Sequence, residues 1–168
     1  MNNYICKIAT LEDMNKKWDY EIENAREDKY NWIIWKNLHI NRFQEGSIIP
    51  YYGLLDNRII CECTAVIKKD VIQNKDKLID NETAYLMAFR TLDEYQGKGY
   101  FRELFNYMID DLINKGYKYV TVGVEPNEKK NKSIYFKYGF TEYIKKAYEE
   151  YPDGTKVLVE FYRKTLNK

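Results

Sequence analysis

The sequence predicts an α/β domain with a mixed, strongly twisted sheet of about seven strands and helices on both faces. Three observations lead to this fold class. The elements follow the order β-α-α-β-β-β-α-β-α-β-β over 168 residues, which is the length of a single domain spanning 1–168. One strand–helix–strand crossover lies near the middle and requires a parallel pair of strands. On either side of the crossover, short turns join neighbouring strands into antiparallel hairpins.

The first part of the chain predicts one strand and two helices. Tyr4 to Ile8 reads as a strand. Thr10 has the side chain of an N-cap residue, and Asp13 stands where a capping-box partner would return a hydrogen bond. Apolar residues then recur at helical spacing over 11–24 and 29–43.

The middle of the chain predicts a hairpin, a loop and a further strand. Asp56 and Asn57 form a two-residue turn, because both residue types tolerate left-handed backbone angles. The predicted segments are strands at 48–55, 58–67 and 82–91, with a polar loop at 68–81.

The rest of the chain predicts two helices and three strands. The stronger helix, 99–115, carries a continuous apolar stripe and ends at Lys115-Gly116. The remaining predicted elements are a strand at 119–124, a short helix at 131–138, and strands at 140–148 and 156–163 joined by a turn at 151–154.

Composition excludes several classes of function. The formal net charge is +1, which gives no electrostatic footprint for nucleic acid or an anionic membrane. No apolar run has the length of a membrane span, and the N-terminal residues lack the pattern of a signal peptide. The odd number of cysteines, 3, does not suit a disulfide framework. We therefore expect a cytoplasmic protein, and the abundance of Lys, Asn, Ile and Tyr suggests a bacterial source with a genome rich in A and T.

The most informative segment is Gln96-Gly97-Lys98-Gly99-Tyr100, between a strand and the strong helix. Two glycines allow close approach of a ligand, and the first amides of a helix attract anions, so the segment can hold a pyrophosphate. A plain glycine-rich turn is the alternative. A nucleotide P-loop would need Ser or Thr after Gly-Lys, and a dinucleotide fingerprint would need three glycines in an early βαβ unit.

This segment resembles the acetyl-CoA pyrophosphate loop of the GNAT superfamily of N-acetyltransferases, in which Gln96 and Gly99 match the family pattern. Phe101 stands where a small residue is usual in that family. A second motif, Ile134-Tyr135-Phe136-Lys137-Tyr138-Gly139-Phe140, resembles the family's helix end, and the order of elements is similar over nearly the whole chain.

The resemblance implies acetyl-CoA as co-substrate, no metal, and a small-molecule or peptide amine as acceptor, with direct attack of the amine on the thioester. The implied cofactor-binding residues are Phe89, Arg90, Thr91, Gln96, Gly97, Lys98, Gly99, Tyr100 and Asn131. Tyr135 is the implied acid that protonates the leaving thiolate. Glu82 and Glu125 are two candidates for the base, and a chain of water molecules is a third.

Some alternatives stay open at this point. A non-catalytic CoA-binding, sensing or interaction domain would have the same fold, and a homodimer is an expected assembly in either case. The tryptophans at 18, 32 and 35 are either the wall of an acceptor pocket or anchors of the core. The acidic residues at 21, 23, 27 and 28 either attract a cationic amine or form a solvated helix face. His39 is expected to pack, and Cys61 and Cys63 to be small core residues.

Overall fold

The computed structural model describes residues 3–167. Met1, Asn2 and Lys168 lie outside the described residues. The predicted domain 1–168 includes all three of them, and the prediction about a signal peptide includes Met1 and Asn2. The elements are β1 (Tyr4–Ile8), α1 (Leu11–Asn24), α2 (Lys29–Gln44), β2 (Ile48–Leu55), β3 (Arg58–Val66), β4 (Thr83–Thr91), α3 (Tyr100–Asn114), β5 (Tyr119–Val124), α4 (Lys129–Lys137), β6 (Glu142–Glu150) and β7 (Lys156–Thr165). Short 3-10 turns lie at Lys69–Val71 and Asp93–Tyr95.

The seven strands form one mixed sheet in the order β1-β2-β3-β4-β5-β7-β6. The β4 and β5 strands are parallel, with Thr83 to Leu86 opposite Tyr119 to Val122. Antiparallel pairs join β1 to β2, β5 to β7, and β6 to β7. The predicted element order and the predicted mixed sheet are confirmed.

Local sequence signals set the start of α1 and the turn between β2 and β3. The Thr10 hydroxyl accepts the Asp13 amide at 3.1 Å, and an Asp13 carboxylate oxygen accepts the Thr10 amide at 2.9 Å. Asp56 and Asn57 have φ values of 49° and 68°, as a left-handed two-residue turn requires. The predicted capping box and the predicted hairpin turn are therefore confirmed.

The segment 68–81 differs from the prediction of a polar loop at its C-terminal end. Leu78 and Ile79 are buried, and the Thr121 hydroxyl donates to the Leu78 carbonyl at 2.6 Å. Two apolar residues in a polar stretch are thus sufficient to anchor the loop to β5, because their burial removes apolar surface from water.

The C-terminal elements are displaced from their predicted bounds by a few residues. The Phe140 amide donates to the Tyr135 carbonyl at 3.1 Å and the Gly139 amide to the Phe136 carbonyl at 3.0 Å, which closes the end of α4. Because these amides serve the helix end, β6 begins at Glu142 and not at Phe140.

By its contacts the chain divides into two compact units. Unit 1 contains the described residues up to Thr64 together with Ala88–Met108, and unit 2 contains Ala65–Met87 together with the described residues from Ile109 onward. Fully buried side chains of unit 1 include Met14, Tyr51, Tyr52, Ile60, Cys63, Leu104 and Met108. Those of unit 2 include Leu78, Leu86, Leu112, Val120, Phe140 and Phe161.

Within residues 3–167, no helix is both long and apolar enough to cross a membrane. The same residues contain no group of three or more His, Cys, Asp or Glu side chains arranged to hold a metal ion.

Candidate functional site

The glycine loop, residues 96–99, leads directly into α3 in unit 1. Gly97 and Gly99 have φ values of 74° and 89°, which side chains other than glycine rarely adopt. A Cβ atom built on either glycine would meet no protein atom within 4 Å. In the described part of the chain the amides of Gly97, Lys98 and Gly99 have no hydrogen-bond acceptor. The loop therefore combines three amides that have no acceptor in the described chain with open space beside its two glycines.

The Gln96 side chain holds the glycine loop in place. Its amide nitrogen donates to the Thr91 carbonyl at 3.1 Å and to an Asp93 carboxylate oxygen at 3.2 Å. These bonds close the turn between the end of β4 and the loop. Gln96 thus holds the glycine loop against the end of β4. The Lys98 side chain is exposed, and its ammonium lies 5.9 Å from the Tyr95 ring centroid.

Tyr100, the first residue of α3, is fixed by the first strand. Its ring centroid lies 4.7 Å from that of Tyr4, and the Tyr4 hydroxyl donates to the Tyr100 carbonyl at 2.8 Å. The same hydroxyl lies 3.1 Å from the Cys61 sulfur. Burial and the adjacent thiol raise the pKa of Tyr4, so the hydroxyl keeps its proton and the bond to Tyr100 persists at high pH.

The last residues of β4 point in different directions. Ala88 has φ of 60°, an uncommon value for a residue inside a strand. The Phe89 ring packs against Phe101, with centroids 5.3 Å apart, whereas Arg90 forms an ion pair with Glu21 at 2.9 Å. The Phe101 ring packs against Phe89, and the space beside the two loop glycines is open although Phe101 is large.

A cavity of ≈ 210 Å³ lies in unit 1 between α1, β3 and the end of β4. Among its lining residues, Lys17 and Glu62 form a buried ion pair at 3.0 Å, and Glu21 is paired with Arg90. Burial raises the pKa of Glu21, and the positive charges of Arg90 and Lys17 oppose that rise. Each buried carboxylate of this cavity thus has a cation beside it.

The three tryptophans and His39 form an aromatic cluster in the same unit. Trp32 lies 5.8 Å from Trp18 and 5.5 Å from Trp35, centroid to centroid, and the Lys17 ammonium lies 3.4 Å from the Trp18 ring centroid. The His39 Nδ1 donates to the Trp35 carbonyl at 2.9 Å, and burial lowers the pKa of His39 to about 4. The histidine is therefore neutral and packed, as predicted.

Tyr135 and Asn131 lie on α4 in unit 2. Tyr135 is partly buried, and its ring centroid is 6.2 Å from that of Phe140. Burial and the nearby negative charge of Glu128 raise the pKa of Tyr135 to about 12, so its hydroxyl is protonated throughout the physiological range. Asn131 is exposed one helical turn before Tyr135.

The two candidate bases have different surroundings. Glu82 precedes β4, is half-exposed, and forms an ion pair with Lys118 at 3.0 Å. Glu125 follows the last residue of β5, and burial and the negative charge of Glu128 raise its pKa. A raised pKa makes the Glu125 carboxylate a stronger base near neutral pH.

Two residues close to this region were not predicted from the sequence. Glu149, on β6, is partly buried, and burial together with the charge of Glu125 raises its pKa. Tyr85, on β4, is 7% exposed, and its pKa is raised by burial and by Glu149 and Tyr135. Neither residue lies in a motif. Their position near Glu125 depends on the register of the strands, which cannot be read from the sequence alone.

Comparisons with solved structures agree with this fold. A probable acetyltransferase from Staphylococcus epidermidis is 11% identical with a TM-score of 0.72, and the match covers 98% of this chain and 99% of the other. The ribosomal-protein-S18-alanine N-acetyltransferase from Escherichia coli is 14% identical with a TM-score of 0.68, over 98% and 95%. The structure of yncA from Salmonella typhimurium with its cofactor acetyl-CoA is 15% identical with a TM-score of 0.63, over 99% and 96%.

The similarity of sequence extends beyond the short motifs. A search of curated proteins gave no match. The model of the acetyltransferase (GNAT) family, however, matches residues 8–140, which include the glycine loop and the α4 motif up to Phe140. On the fold, the glycine loop and this match, the chain belongs to the acetyltransferase (GNAT) family.

Proposed function

We propose that the chain transfers the acetyl group of acetyl-CoA to a primary amine of a small molecule or peptide. In the proposed reaction the amine nitrogen attacks the thioester directly. An N–C bond forms and the C–S bond breaks, while the nitrogen loses one proton and the leaving sulfur gains one. The observation that carries this proposal is the glycine loop, whose three consecutive amides have no acceptor in the described chain and whose two glycines border open space before α3.

The glycine loop suits a pyrophosphate. The amides of Gly97, Lys98, Gly99 and Tyr100 would bind phosphate oxygens, the α3 dipole favours negative charge at this end, and the Lys98 ammonium is free to approach. Glycine is needed here because a Cβ would occupy the space that the ligand must enter. Acetyl-CoA supplies an activated thioester when it is bound.

The end of β4 would bind the pantetheine arm through its main chain. The parallel ladder with β5 covers Thr83 to Leu86, so Phe89, Arg90 and Thr91 lie beyond it on the same strand. An extended ligand pairs with such main-chain groups in the manner of an added strand. The packing of Phe89 and the ion pair of Arg90 hold this segment in position.

Glu125 and Tyr135 are the proton-transfer groups of the proposal. Glu125 would take the proton from the attacking amine, directly or through water, and its raised pKa supports this role. The Tyr135 hydroxyl would donate to the leaving sulfur, and Asn131 would contact the cofactor. A pKa near 12 keeps that hydroxyl protonated but makes complete proton transfer to a thiolate unfavourable, so the hydroxyl acts chiefly as a hydrogen-bond donor and the sulfur takes its proton from solvent.

The acceptor amine, the homodimer and the cytoplasmic location remain predictions. The name of the Escherichia coli neighbour gives a ribosomal-protein alanine as its acceptor, which supports testing a peptide N-terminus here. The packed Phe101 ring leaves the loop accessible to a cofactor, as both acetyl transfer and cofactor sensing require, so the measurement of CoA release decides between them.

The test is release of free CoA from acetyl-CoA with a panel of polyamines, aminoglycosides, amino acids and peptides with N-terminal alanine. Calorimetry with acetyl-CoA, CoA and ATP accompanies it. Release with at least one amine is the expected result. Tight binding of acetyl-CoA without release for any amine would favour the sensing domain, and binding of ATP without binding of CoA would contradict both.

A further inference from the structure

One face of unit 2 brings together acidic side chains from separate elements. The β5–β7 register places Gly123 opposite Phe161, and the β6–β7 register places Glu149 opposite Val157. Alternate residues of a strand share a face, so Glu149 lies on the same face as Phe161 and Gly123. Glu125 is two residues beyond Gly123, immediately after β5.

Three carboxylates belong to this carboxylate cluster, which we define as Glu125, Glu128 and Glu149. The Glu128 amide donates to the Glu125 carbonyl at 3.0 Å, which folds the chain back at the end of β5. Burial and the charge of Glu128 raise the pKa of Glu125, and burial and the charge of Glu125 raise the pKa of Glu149. The members of the cluster therefore repel one another.

Within residues 3–167, no member of the carboxylate cluster forms an ion pair. By register, the nearest cation on this face of β6 is Lys145, opposite Phe161 and about 13 Å along the strand from Glu149. Arg163 faces the same way and is engaged by Glu142 at 2.8 Å.

Unit 1 treats its buried carboxylates differently. Asp13, Glu21 and Glu62 are each at most 9% exposed. Their respective ion-pair partners are Lys7, Arg90 and Lys17, at 2.8, 2.9 and 3.0 Å. These three buried carboxylates of unit 1 each have a counter-charge, whereas the partly buried Glu125 and Glu149 form no ion pair in the described chain.

Tyr85 is a second, independent indication of a ligand. It is 7% exposed, and within residues 3–167 its hydroxyl has no hydrogen-bond partner. The hydroxyl lies where a Cβ on Gly123 would be 2.9 Å away, and it interacts electrostatically with Glu149 and Tyr135. The side chain as a whole is buried, while its hydroxyl has no partner in the described chain, so a polar group from a ligand that reached the hydroxyl would add a hydrogen bond.

We propose that the carboxylate cluster and the Tyr85 hydroxyl bind a second ammonium group of the acceptor, which is therefore a diamine or polyamine. This inference rests on the proposed function. Glu149 and Glu128 would hold one ammonium while the other nitrogen loses its proton to Glu125 and attacks the thioester. A carboxylate-bearing or neutral acceptor would leave the cluster uncompensated and would be a poorer substrate.

The experiment compares amines of one chain length and different charge. Free CoA release is measured with 1,4-diaminobutane, n-butylamine and 4-aminobutyrate at a pH where the second group is charged. We expect kcat/KM for the diamine to exceed that for butylamine by at least about tenfold, the equivalent of one charge interaction of roughly 1.4 kcal/mol. The 4-aminobutyrate should be the poorest acceptor.

A pair of variants on adjacent residues assigns the effect. Glu149→Gln should reduce the ratio of diamine to butylamine activity toward one, mainly through KM for the diamine. Glu150→Gln is the matched control, because Glu150 is exposed and has the opposite orientation on β6. It should keep the ratio of the unaltered chain.

Direct binding separates the failure of this inference from the failure of the proposed function. Calorimetry of spermidine with the unaltered chain and with Glu149→Gln should show binding that the variant weakens. Equal activity with diamine and butylamine, or preference for 4-aminobutyrate, would overturn the inference alone. If no amine releases CoA, the proposed function fails. If, in addition, Glu149→Gln leaves the affinity for spermidine unchanged, the inference is overturned as well.

Discussion

The Tyr4 hydroxyl donates to the Tyr100 carbonyl at 2.8 Å, and the two rings pack with centroids 4.7 Å apart. This contact joins β1 to the first residue of α3, 96 positions along the chain. The glycine loop immediately precedes Tyr100, so the first strand of the sheet fixes the helix end at which the loop amides converge. Tyr4 is thus a positioning residue that acts on the proposed phosphate site through Tyr100.

Tyr4→Phe should therefore loosen the glycine loop while keeping the aromatic packing. Loss of one buried hydrogen bond should lower the free energy of unfolding by about 0.5–1.5 kcal/mol and raise Kd for acetyl-CoA roughly two- to tenfold. Thermal unfolding and calorimetry measure the two effects. Tyr30→Phe is the control, because Tyr30 is 63% exposed. An unchanged Kd in Tyr4→Phe would show that the contact is structural only.

Gly99→Ala should affect the cofactor more than the fold. Gly99 and Gly116 lie at opposite ends of α3 with φ of 89° and 96°, and a Cβ on either would meet no atom within 4 Å. Each substitution to alanine should thus cost about 1–2 kcal/mol of backbone strain. Only Gly99→Ala should also weaken acetyl-CoA binding, by at least about tenfold, since its Cβ enters the proposed pyrophosphate space. Equal affinity of the two variants would argue against the loop as the phosphate site.

Tyr135→Phe should lower turnover without changing cofactor affinity. If the hydroxyl donates a hydrogen bond to the leaving sulfur, kcat should fall by about 10²–10³, as for other positioned donors to developing negative charge, while calorimetry gives an unchanged Kd. With a pKa of about 12, the hydroxyl should cause no alkaline decline of kcat below about pH 10. Tyr143→Phe, at a residue 51% exposed, should retain activity. Full turnover in Tyr135→Phe would assign the tyrosine to packing.

Glu149→Gln should stabilise the fold at high pH. The pKa of Glu149 is raised in the folded state by burial and by Glu125, so its contribution to stability is present below the unfolded carboxyl pKa of about 4.3 and is lost as pH rises through the folded value. Gln removes that loss, and Tm at pH 8 should exceed that of the unaltered chain, with a smaller difference at pH 4. Glu142→Gln breaks the pair with Arg163 and should shift Tm at pH 8 in the opposite direction. A lower Tm for Glu149→Gln at pH 8 would show that the charged Glu149 carboxylate does not destabilise the fold.

Much of the fold follows from signals contained within a few residues. The Thr10–Asp13 capping box and the Asp56-Asn57 turn are decided by side-chain chemistry over three residues or fewer, so the sequence is sufficient to predict them. The glycine loop and Tyr135 were accessible by resemblance, because both lie in short motifs.

The sheet face on which Glu149 lies could not be predicted from the sequence, and the reason is physical. The β6–β7 register shifts between Tyr143 and Lys145, and this irregularity reverses the faces of all later β6 residues. Simple alternation from Glu142 would place Glu149 on the other face. Tyr85 is similar, since only the absence of a side chain at Gly123 leaves room for its hydroxyl, and that relation spans two strands.

The interleaving of the two compact units has a consequence for synthesis on the ribosome. Residues 65–87 interrupt unit 1, and 88–108 interrupt unit 2, so neither unit is a continuous stretch of chain. A nascent chain that has emerged only as far as residue 64 lacks the β4 end and the start of α3, and cannot yet bury Cys63 against Met108, whose sulfur atoms lie 3.4 Å apart. Unit 1 can be completed only after Met108 has left the exit tunnel. A single proteolytic cut cannot separate the two units, because each consists of two stretches of chain.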